Sequence, residues 1–235
     1  MKHHEPPAPP ELGERDGLSY ALFLPNSPPA GGVVVLHGAG SAKESHFDFA
    51  RVCRERGLAA LAFDARGHGR SRGRFGPGAV GDVLAMCDVL SAHAPRVGLR
   101  GSSMGGFLAI QAAAAEPSIA AVAAICAAPP DLLARGISSG DLADFDVDAE
   151  ATVEWLGTLD LAKSVATLSP RTALLLLHAQ GDERVPHTFS RELHDAAGEP
   201  KRLLVFPGGH HRSLQHDLEV QNMTAAFLER AFTGR

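Results

Sequence analysis

Short runs of apolar residues recur along the chain, and segments with a helical pattern separate them. Six of these runs show little polar alternation: Val33–Leu36, Leu58–Phe63, Val97–Leu99, Ala121–Cys126, Ala173–Leu177 and Arg202–Phe206. Continuous apolar runs are typical of strands covered on both faces, as in a parallel sheet. Five segments between or after them have a helical pattern: Glu44–Arg56, Val80–His93, Met104–Ala115, His187–Ala197 and Gln215–Ala231. This alternation predicts an α/β fold, with a doubly wound, mostly parallel sheet and helices on both faces.

The length of 235 residues is enough for one domain with a sizeable core. The first ten residues are rich in proline, which supports neither a helix nor a strand ladder. We therefore expect residues 1–16 to form a flexible tail and residues 17–235 a single domain. The weak alternation of Leu18–Leu24 predicts an edge strand.

One connection is too long for a simple strand–helix–strand unit. Residues 131–169 separate two predicted strands and mix many acidic residues with apolar ones, including Phe145 and Trp155. Such a mixture favours an amphipathic helical cap over the carboxyl edge of the sheet. We expect Phe145 and Trp155 to contact substrate there. The alternative is a disordered acidic loop.

Charge and composition narrow the choice of partners. The formal net charge is -5 and no run of lysine or arginine occurs, which argues against nucleic acid or an anionic membrane. The longest apolar stretches fall short of the roughly 20 residues that span a bilayer. The amino terminus lacks the pattern of a secretory signal, so a cytoplasmic location is expected. Three widely spaced cysteines predict free, buried thiols rather than disulfides.

The most informative motif is Gly101-Ser102-Ser103-Met104-Gly105, which follows one predicted strand and precedes a helix. A sharp strand-to-helix turn that exposes a nucleophile needs small residues on either side of it. This context identifies Ser103 as the candidate nucleophile of a G-x-S-x-G motif. The alternative is a plain glycine-rich turn.

Several ordered motifs together resemble the α/β-hydrolase superfamily. His37-Gly38-Ala39-Gly40 is similar to its oxyanion loop, and the segment from Phe63 to Ser71 is similar to its D-x-R-G-H-G-x-S motif. The resemblance runs from about residue 32 to the end, apart from the insertion. It looks nearest to small bacterial esterases, serine-aminopeptidase-like members and dienelactone-hydrolase-like members.

A serine nucleophile needs an imidazole base, and the base needs a carboxylate to orient it. The resemblance implies that Asp182, in the turn after a predicted strand, is the acid, with Glu183 as its rival. Two adjacent histidines, His210 and His211, follow the last predicted strand. The family pattern P-G-x-x-H, which begins here at Pro207, implies that His211 is the base, whereas a G-G-H interpretation would select His210.

The same resemblance implies an oxyanion hole formed by the backbone N–H groups of Ala39 and Met104. No metal and no cofactor are expected, because His37, His68 and His178 lack the spacing of metal ligands and no nucleotide-binding glycine motif follows a strand.

The function predicted is hydrolysis of small to medium carboxylic esters through an acyl-enzyme on Ser103. Thioester hydrolysis and aminopeptidase-like cleavage of short peptides are the alternatives, and a non-catalytic ligand-binding relative is a third. A small-molecule ester is the expected partner, and the chain is expected to be a monomer or a homodimer.

Overall fold

Eight strands form one sheet within residues 8–234, which are the residues that this computed structural model describes. The strands are β1 (Glu11–Arg15), β2 (Leu18–Phe23), β3 (Gly32–Leu36), β4 (Ala59–Phe63), β5 (Val97–Ser102), β6 (Ala121–Ile125), β7 (Ala173–Ala179) and β8 (Lys201–Phe206). The helices are α1 (Phe47–Glu55), α2 (Ala79–Ser91), α3 (Met104–Ala115), α4 (Pro130–Ser139), α5 (Ala149–Gly157), α6 (Leu161–Ala166), α7 (His187–Ala196), α8 (Ser213–His216) and α9 (Leu218–Thr233). A short 3₁₀ turn, Lys43–His46, precedes α1.

The strand order is β1-β2-β4-β3-β5-β6-β7-β8. The first two pairings, β1 with β2 and β2 with β4, are antiparallel, and the other five are parallel. Because the carboxyl ends of parallel strands meet at one edge, the loops after β3 to β8 converge there. The predicted doubly wound, mostly parallel α/β-hydrolase fold is confirmed.

Alternate residues of the central strands feed two separate apolar cores. In β3, Val34 and Leu36 pack on the face covered by α2 and α3, whereas Val33 and Val35 pack on the face covered by α1 and α9. All five residues of this strand are buried. Burial on both faces explains why the strand sequences are continuously apolar.

Strand β1 was not predicted, and its presence corrects the extent of the tail. Residues 11–15 pair with β2 and form the true edge of the sheet. Asp16 and Gly17 both have positive φ, 53° and 82°, and join Arg15 to Leu18 as a two-residue hairpin turn. An Asp-Gly pair is a strong hairpin signal, which the proline-rich composition just before it obscured. The predicted flexibility of residues 1–7 concerns a segment outside the described residues.

The long insertion is helical, so a disordered acidic loop is the wrong interpretation of it. It contains α4, α5 and α6, and the segment between α4 and α5 is tied to the body of the domain by backbone bonds. Phe75 donates its N–H to the carbonyl of Asp146 at 2.9 Å, and Asp146 donates to Gly67 at 3.0 Å. Within residues 8–234, no helix has both the length and the apolar character needed to cross a membrane.

Candidate active site

Ser103 occupies the turn between β5 and α3 in a conformation that few residues other than glycine adopt. Its φ is 53° and its ψ is -117°. Its N–H donates to the carbonyl of Ile125 at 2.9 Å, while its own carbonyl accepts from Phe107 at 3.0 Å and Ala128 at 3.1 Å. These three bonds hold the strained turn in place and leave the side chain half-buried.

The two glycines of the motif around Ser103 lie where there is no room for a side chain. A Cβ on Gly101 would lie 2.1 Å from the carbonyl oxygen of Gly105. A Cβ on Gly105 would lie 2.4 Å from the carbonyl oxygen of Leu36 and 2.6 Å from that of His37. The turn therefore packs directly on the end of the neighbouring strand β3, and a plain glycine-rich turn would not account for the strained serine between the two glycines.

Asp182 lies in the turn after β7 with its side chain fully buried. One oxygen, Oδ1, accepts the N–H groups of Arg184 and Val185, both at 2.9 Å. The other, Oδ2, lies 2.8 Å from Nδ1 of His211 and 3.3 Å from Nε2 of His178. Burial by itself would raise the pKa of this carboxyl, but the hydrogen bonds from both histidines and the two backbone groups outweigh it and hold the pKa well below its ordinary value.

The two adjacent histidines of the loop after β8 have different surroundings. The ring of His211 contacts Asp182, and its backbone N–H donates to the exposed Glu183 carboxylate at 3.0 Å. The ring of His210 is exposed and accepts the backbone N–H of Arg212 at 3.3 Å. The structure therefore brings His211, and not His210, against the carboxylate.

Sequence reasoning did not assign His178 a role beside the acid. This residue is the last but one of β7 and is a fully buried imidazole. Its Nε2 lies 2.9 Å from the carbonyl oxygen of Val185 as well as near Asp182, so Nε2 carries the proton. Its Nδ1 then accepts from the hydroxyl of Ser190 at 2.6 Å. The signal in the sequence was a histidine at the end of a buried strand, four residues before the acid.

Ser103 and His211 line a single cavity of about 640 Å³. The insertion supplies much of its wall, including Leu132, Leu142 and Phe145. The insertion thus covers the edge of the sheet at which the nucleophile motif lies. Phe145 lines the cavity, and its contact with substrate stays a prediction.

Trp155 does not line this cavity, so the structure does not bring it together with Ser103 and His211. Its ring packs edge-on against Phe107 of α3, with centroids 5.7 Å apart, and against Phe75, at 6.5 Å. It lies on α5, whose apolar residues pack against the body of the domain and the other insertion helices. Trp155 therefore packs the insertion against the rest of the domain.

Of the two predicted oxyanion donors, Met104 directly follows Ser103 in the chain, and Ala39 belongs to the loop after β3. Ala39 lines the cavity with Ser103, and Met104 is the first residue of α3. The first N–H groups of a helix have no partner within it. Neither N–H donates to another group anywhere in residues 8–234.

His37 and His68 shape the loops around the site. The Nε2 of His37 accepts from the N–H of Ala65 at 3.0 Å, and its Nδ1 donates to the carbonyl of Gly38 at 2.8 Å. His68 accepts from the N–H of Gly40 at 3.2 Å. Burial lowers the pKa of both rings, that of His68 to about 4, which keeps them neutral.

Cys126 places a thiol beside Asp182 and His211. Its sulfur, a carboxylate oxygen of Asp182 and a ring nitrogen of His211 all lie within 4.8 Å of one another. Within residues 8–234 this is the one cluster of three such groups that lie close enough together to hold a metal ion. The other two cysteines, Cys53 and Cys87, are free and buried elsewhere.

Comparison with known proteins finds a matching family model and relatives of similar sequence. A family model described as serine aminopeptidase, S33, matches residues 27–137. Protein YfhR of Escherichia coli O157:H7 is 29% identical over 219 residues, which cover 86% of this chain and 72% of YfhR. Protein Rv2307c of Mycobacterium tuberculosis (strain ATCC 25618 / H37Rv) is 30% identical over 210 residues, which cover 84% of this chain and 69% of that protein.

Solved structures share the fold. The esterase domain of a Rhodothermus marinus protein is similar with a TM-score of 0.72 and 24% identity, over 91% of this chain and 92% of that one. The relatives, the family model and the strand order agree, and the chain belongs to the α/β-hydrolase superfamily.

Proposed function

We propose that this hydrolase cleaves small to medium carboxylic esters through an acyl-enzyme formed on Ser103. The observation that carries the proposal is the 2.8 Å contact between His211 and Asp182, beside a cavity that Ser103 also lines. A hydroxyl nucleophile, an imidazole base and a buried carboxylate are the three parts that acyl transfer through serine requires.

The hydrogen bond to Asp182 determines which nitrogen of His211 acts as the base. Because Nδ1 donates its proton to the carboxylate, Nε2 is the nitrogen left to accept the proton of Ser103. The imidazolium that forms is stabilised by a carboxylate whose low pKa keeps it ionised. The same nitrogen then returns the proton to the leaving alcohol, and a water molecule hydrolyses the acyl-enzyme.

The negative charge of the tetrahedral intermediate would be held by the N–H groups of Ala39 and Met104. Met104 also begins α3, so the positive end of the helix dipole lies at the same place. Loss of one such donor typically costs about 10²–10³ in rate.

The size and lining of the cavity support a substrate of modest size. A volume of about 640 Å³ is within the range of small-molecule sites. Leucines of the insertion and Phe145 give one wall an apolar character suited to an acyl chain. The esterase domain from Rhodothermus marinus, which shares the fold, agrees with an ester substrate.

Hydrolysis of short peptides is the second candidate, because the matching family model is described as a serine aminopeptidase. Two carboxylates, Asp141 and Asp144, line the cavity and would attract the ammonium group of such a substrate. A thioester would use the same chemistry as an ester, since its carbonyl is attacked in the same way.

A fluorophosphonate probe and a substrate panel test the proposal together. The protein should bind the probe covalently, and Ser103→Ala should abolish both labelling and turnover. Ser102→Ala is the matched control, because this neighbouring hydroxyl is buried and should be dispensable. The panel consists of p-nitrophenyl esters of graded chain length, aminoacyl amides and thioesters. A protein that neither labels nor turns over any of them would be a non-catalytic binding relative.

A further inference from the structure

Cys126 has a backbone conformation that its side chain disfavours and a place next to the acid. It follows β6 directly, with φ of 47°, and its N–H donates to the carbonyl of Leu177 at 2.8 Å. It is 1% exposed. The β6 and β7 strand ends are neighbours in the sheet, so this backbone turn sets the thiol beside Asp182.

The three groups lie close enough together to be arranged around a tetrahedral metal ion by small movements of their side chains. Zinc binds sulfur at about 2.3 Å and nitrogen or oxygen at about 2.0–2.2 Å, which requires its ligands to be roughly 3.3–3.8 Å apart. The sulfur of Cys126, the oxygen of Asp182 and the nitrogen of His211 already lie within 4.8 Å of one another. The Asp182 oxygen and the His211 nitrogen, now 2.8 Å apart, would have to separate by about 0.5–1 Å, and the sulfur would have to approach them by about 1–1.5 Å at most.

We propose that Cys126, Asp182 and His211 form an inhibitory site for a soft divalent cation, with Zn²⁺ as the fitting ion. A thiolate and an imidazole select zinc-like ions over Mg²⁺ and Ca²⁺, which prefer oxygen ligands. One thiolate and one carboxylate balance the two positive charges, so the occupied site is neutral. Neutrality matters because the Cys126 thiolate and the Asp182 carboxylate are both buried, where an unbalanced charge is costly.

Binding releases one proton from the thiol and shifts another on the imidazole. The Cys126 S–H bond breaks, a sulfur–metal bond forms, and the proton leaves to solvent. The metal takes the lone pair of Nδ1 of His211, and the proton that Nδ1 carried moves to Nε2 through solvent. The ring stays neutral, and no oxidant or reductant takes part.

This tautomer change is the reason why the ion would inhibit, and the step rests on the function proposed above. With its proton on Nε2, His211 can no longer accept the proton of Ser103. The hydrogen bond to Asp182 that selects the active tautomer is lost at the same time. Since His211 lines the cavity, the ion reaches the site from the substrate side.

Cobalt binding tests the site independently of catalysis. Co²⁺ bound to a thiolate gives a sulfur-to-metal charge-transfer absorption band in the near ultraviolet. The unmodified protein should show this band on titration with Co²⁺, and Cys126→Ala should lose it. Cys87→Ala is the matched control, because it removes a buried thiol that is not in the cluster and should keep the band. Absence of the band from the unmodified protein, or its persistence in Cys126→Ala, overturns the proposal.

Inhibition of ester hydrolysis tests the consequence. Zn²⁺ should inhibit the unmodified protein and Cys87→Ala, a chelator should restore activity, and Mg²⁺ should have no effect. In Cys126→Ala the inhibitory concentration of Zn²⁺ should rise at least tenfold; equal inhibition of both proteins overturns the proposal.

If Cys126→Ala does not fold, Cys126→Ser provides a hydroxyl of similar size that is a poor ligand for soft ions. A cobalt band without any hydrolysis would support the site and refute the proposed function, whereas hydrolysis without a band would do the reverse.

Discussion

Oδ2 of Asp182 lies 2.8 Å from Nδ1 of His211, and the other oxygen of the same carboxylate is held by two backbone N–H groups. The backbone bonds fix the plane of the carboxylate, so His211 meets an oxygen that is already oriented. Asp182 thus belongs to the rigid turn after β7, and His211 belongs to the loop after β8. Their contact joins the two loops, together with the bond from the His211 N–H to Glu183.

Replacing this acid by its amide tests the link. Asp182→Asn keeps the shape but can donate where the carboxylate accepts, which favours the wrong tautomer of His211. We expect kcat to fall by about 10³–10⁴, with little change in KM. Steady-state kinetics on the best ester of the panel measure both constants. A decrease of less than tenfold would show that Asp182 does not orient the base.

The neighbouring histidines allow a matched pair of variants. His211→Ala should lose several orders of magnitude in kcat, because the members of such a triad act as a unit. His210→Ala should retain most of its activity, because that ring is exposed and makes no contact with Asp182. The ratio of the two kcat values decides the assignment, and the reverse ranking would move the base to His210.

Local sequence was enough to predict seven of the eight strands and the turn of Ser103. Apolar runs without alternation mark buried strands wherever they occur, and the glycines beside the serine follow from the tightness of its turn. The choice of Asp182 came from the resemblance to the family, and because parallel strand ends meet at one edge, its turn after β7 lies at the same edge as Ser103.

Other features depend on packing between distant segments, and the sequence could not supply them. Whether Trp155 faces the cavity depends on how α5 packs against α3, and it contacts Phe107 instead. The sharing of Asp182 by two imidazoles arises from three separate loops and strand ends. Strand β1 does not depend on distant packing in this way, because the Asp16-Gly17 pair that follows it is itself a hairpin signal in the sequence.

Two glycines of contrasting surroundings test the packing of the nucleophile turn. Gly105→Ala would place a Cβ 2.4 Å from the Leu36 carbonyl oxygen, so we expect it to destabilise the fold by at least about 1–3 kcal/mol. Gly81→Ala lies in α2 with no atom within 4 Å of the new Cβ and should stabilise by about 0.5–1 kcal/mol. Urea unfolding measures both. Equal effects of the two substitutions would contradict the tight approach of the turn to β3.

The two aromatic residues of the insertion should have separable effects. Phe145 lines the cavity and stacks on His68 with centroids 4.1 Å apart, so Phe145→Ala should change KM across the ester series. Trp155→Ala should instead lower the free energy of unfolding, by roughly 2–4 kcal/mol, and leave the order of preferred esters unchanged. Kinetics on the ester panel and urea unfolding separate the outcomes. A change of ester preference in Trp155→Ala alone would reverse the roles given to these residues.

The buried imidazole of His68 makes the stability of the fold sensitive to acid. Burial is the main cause that lowers its pKa from 6.5 to about 4, and the neighbouring His37 adds to it. Between these two values the unfolded chain binds a proton at this position and the folded chain does not, so stability falls as the pH decreases from about 6.5 toward 4. The loss attributable to His68 should be about 2 kcal/mol near pH 5, because one pKa unit corresponds to about 1.4 kcal/mol.

In His68→Gln this contribution is absent. The difference in unfolding free energy between pH 7 and pH 5, measured with urea, should therefore be smaller in the variant, even though the variant is less stable at pH 7 through its altered bond to Gly40. An equal pH difference in both proteins would show that His68 titrates alike in the folded and unfolded chains.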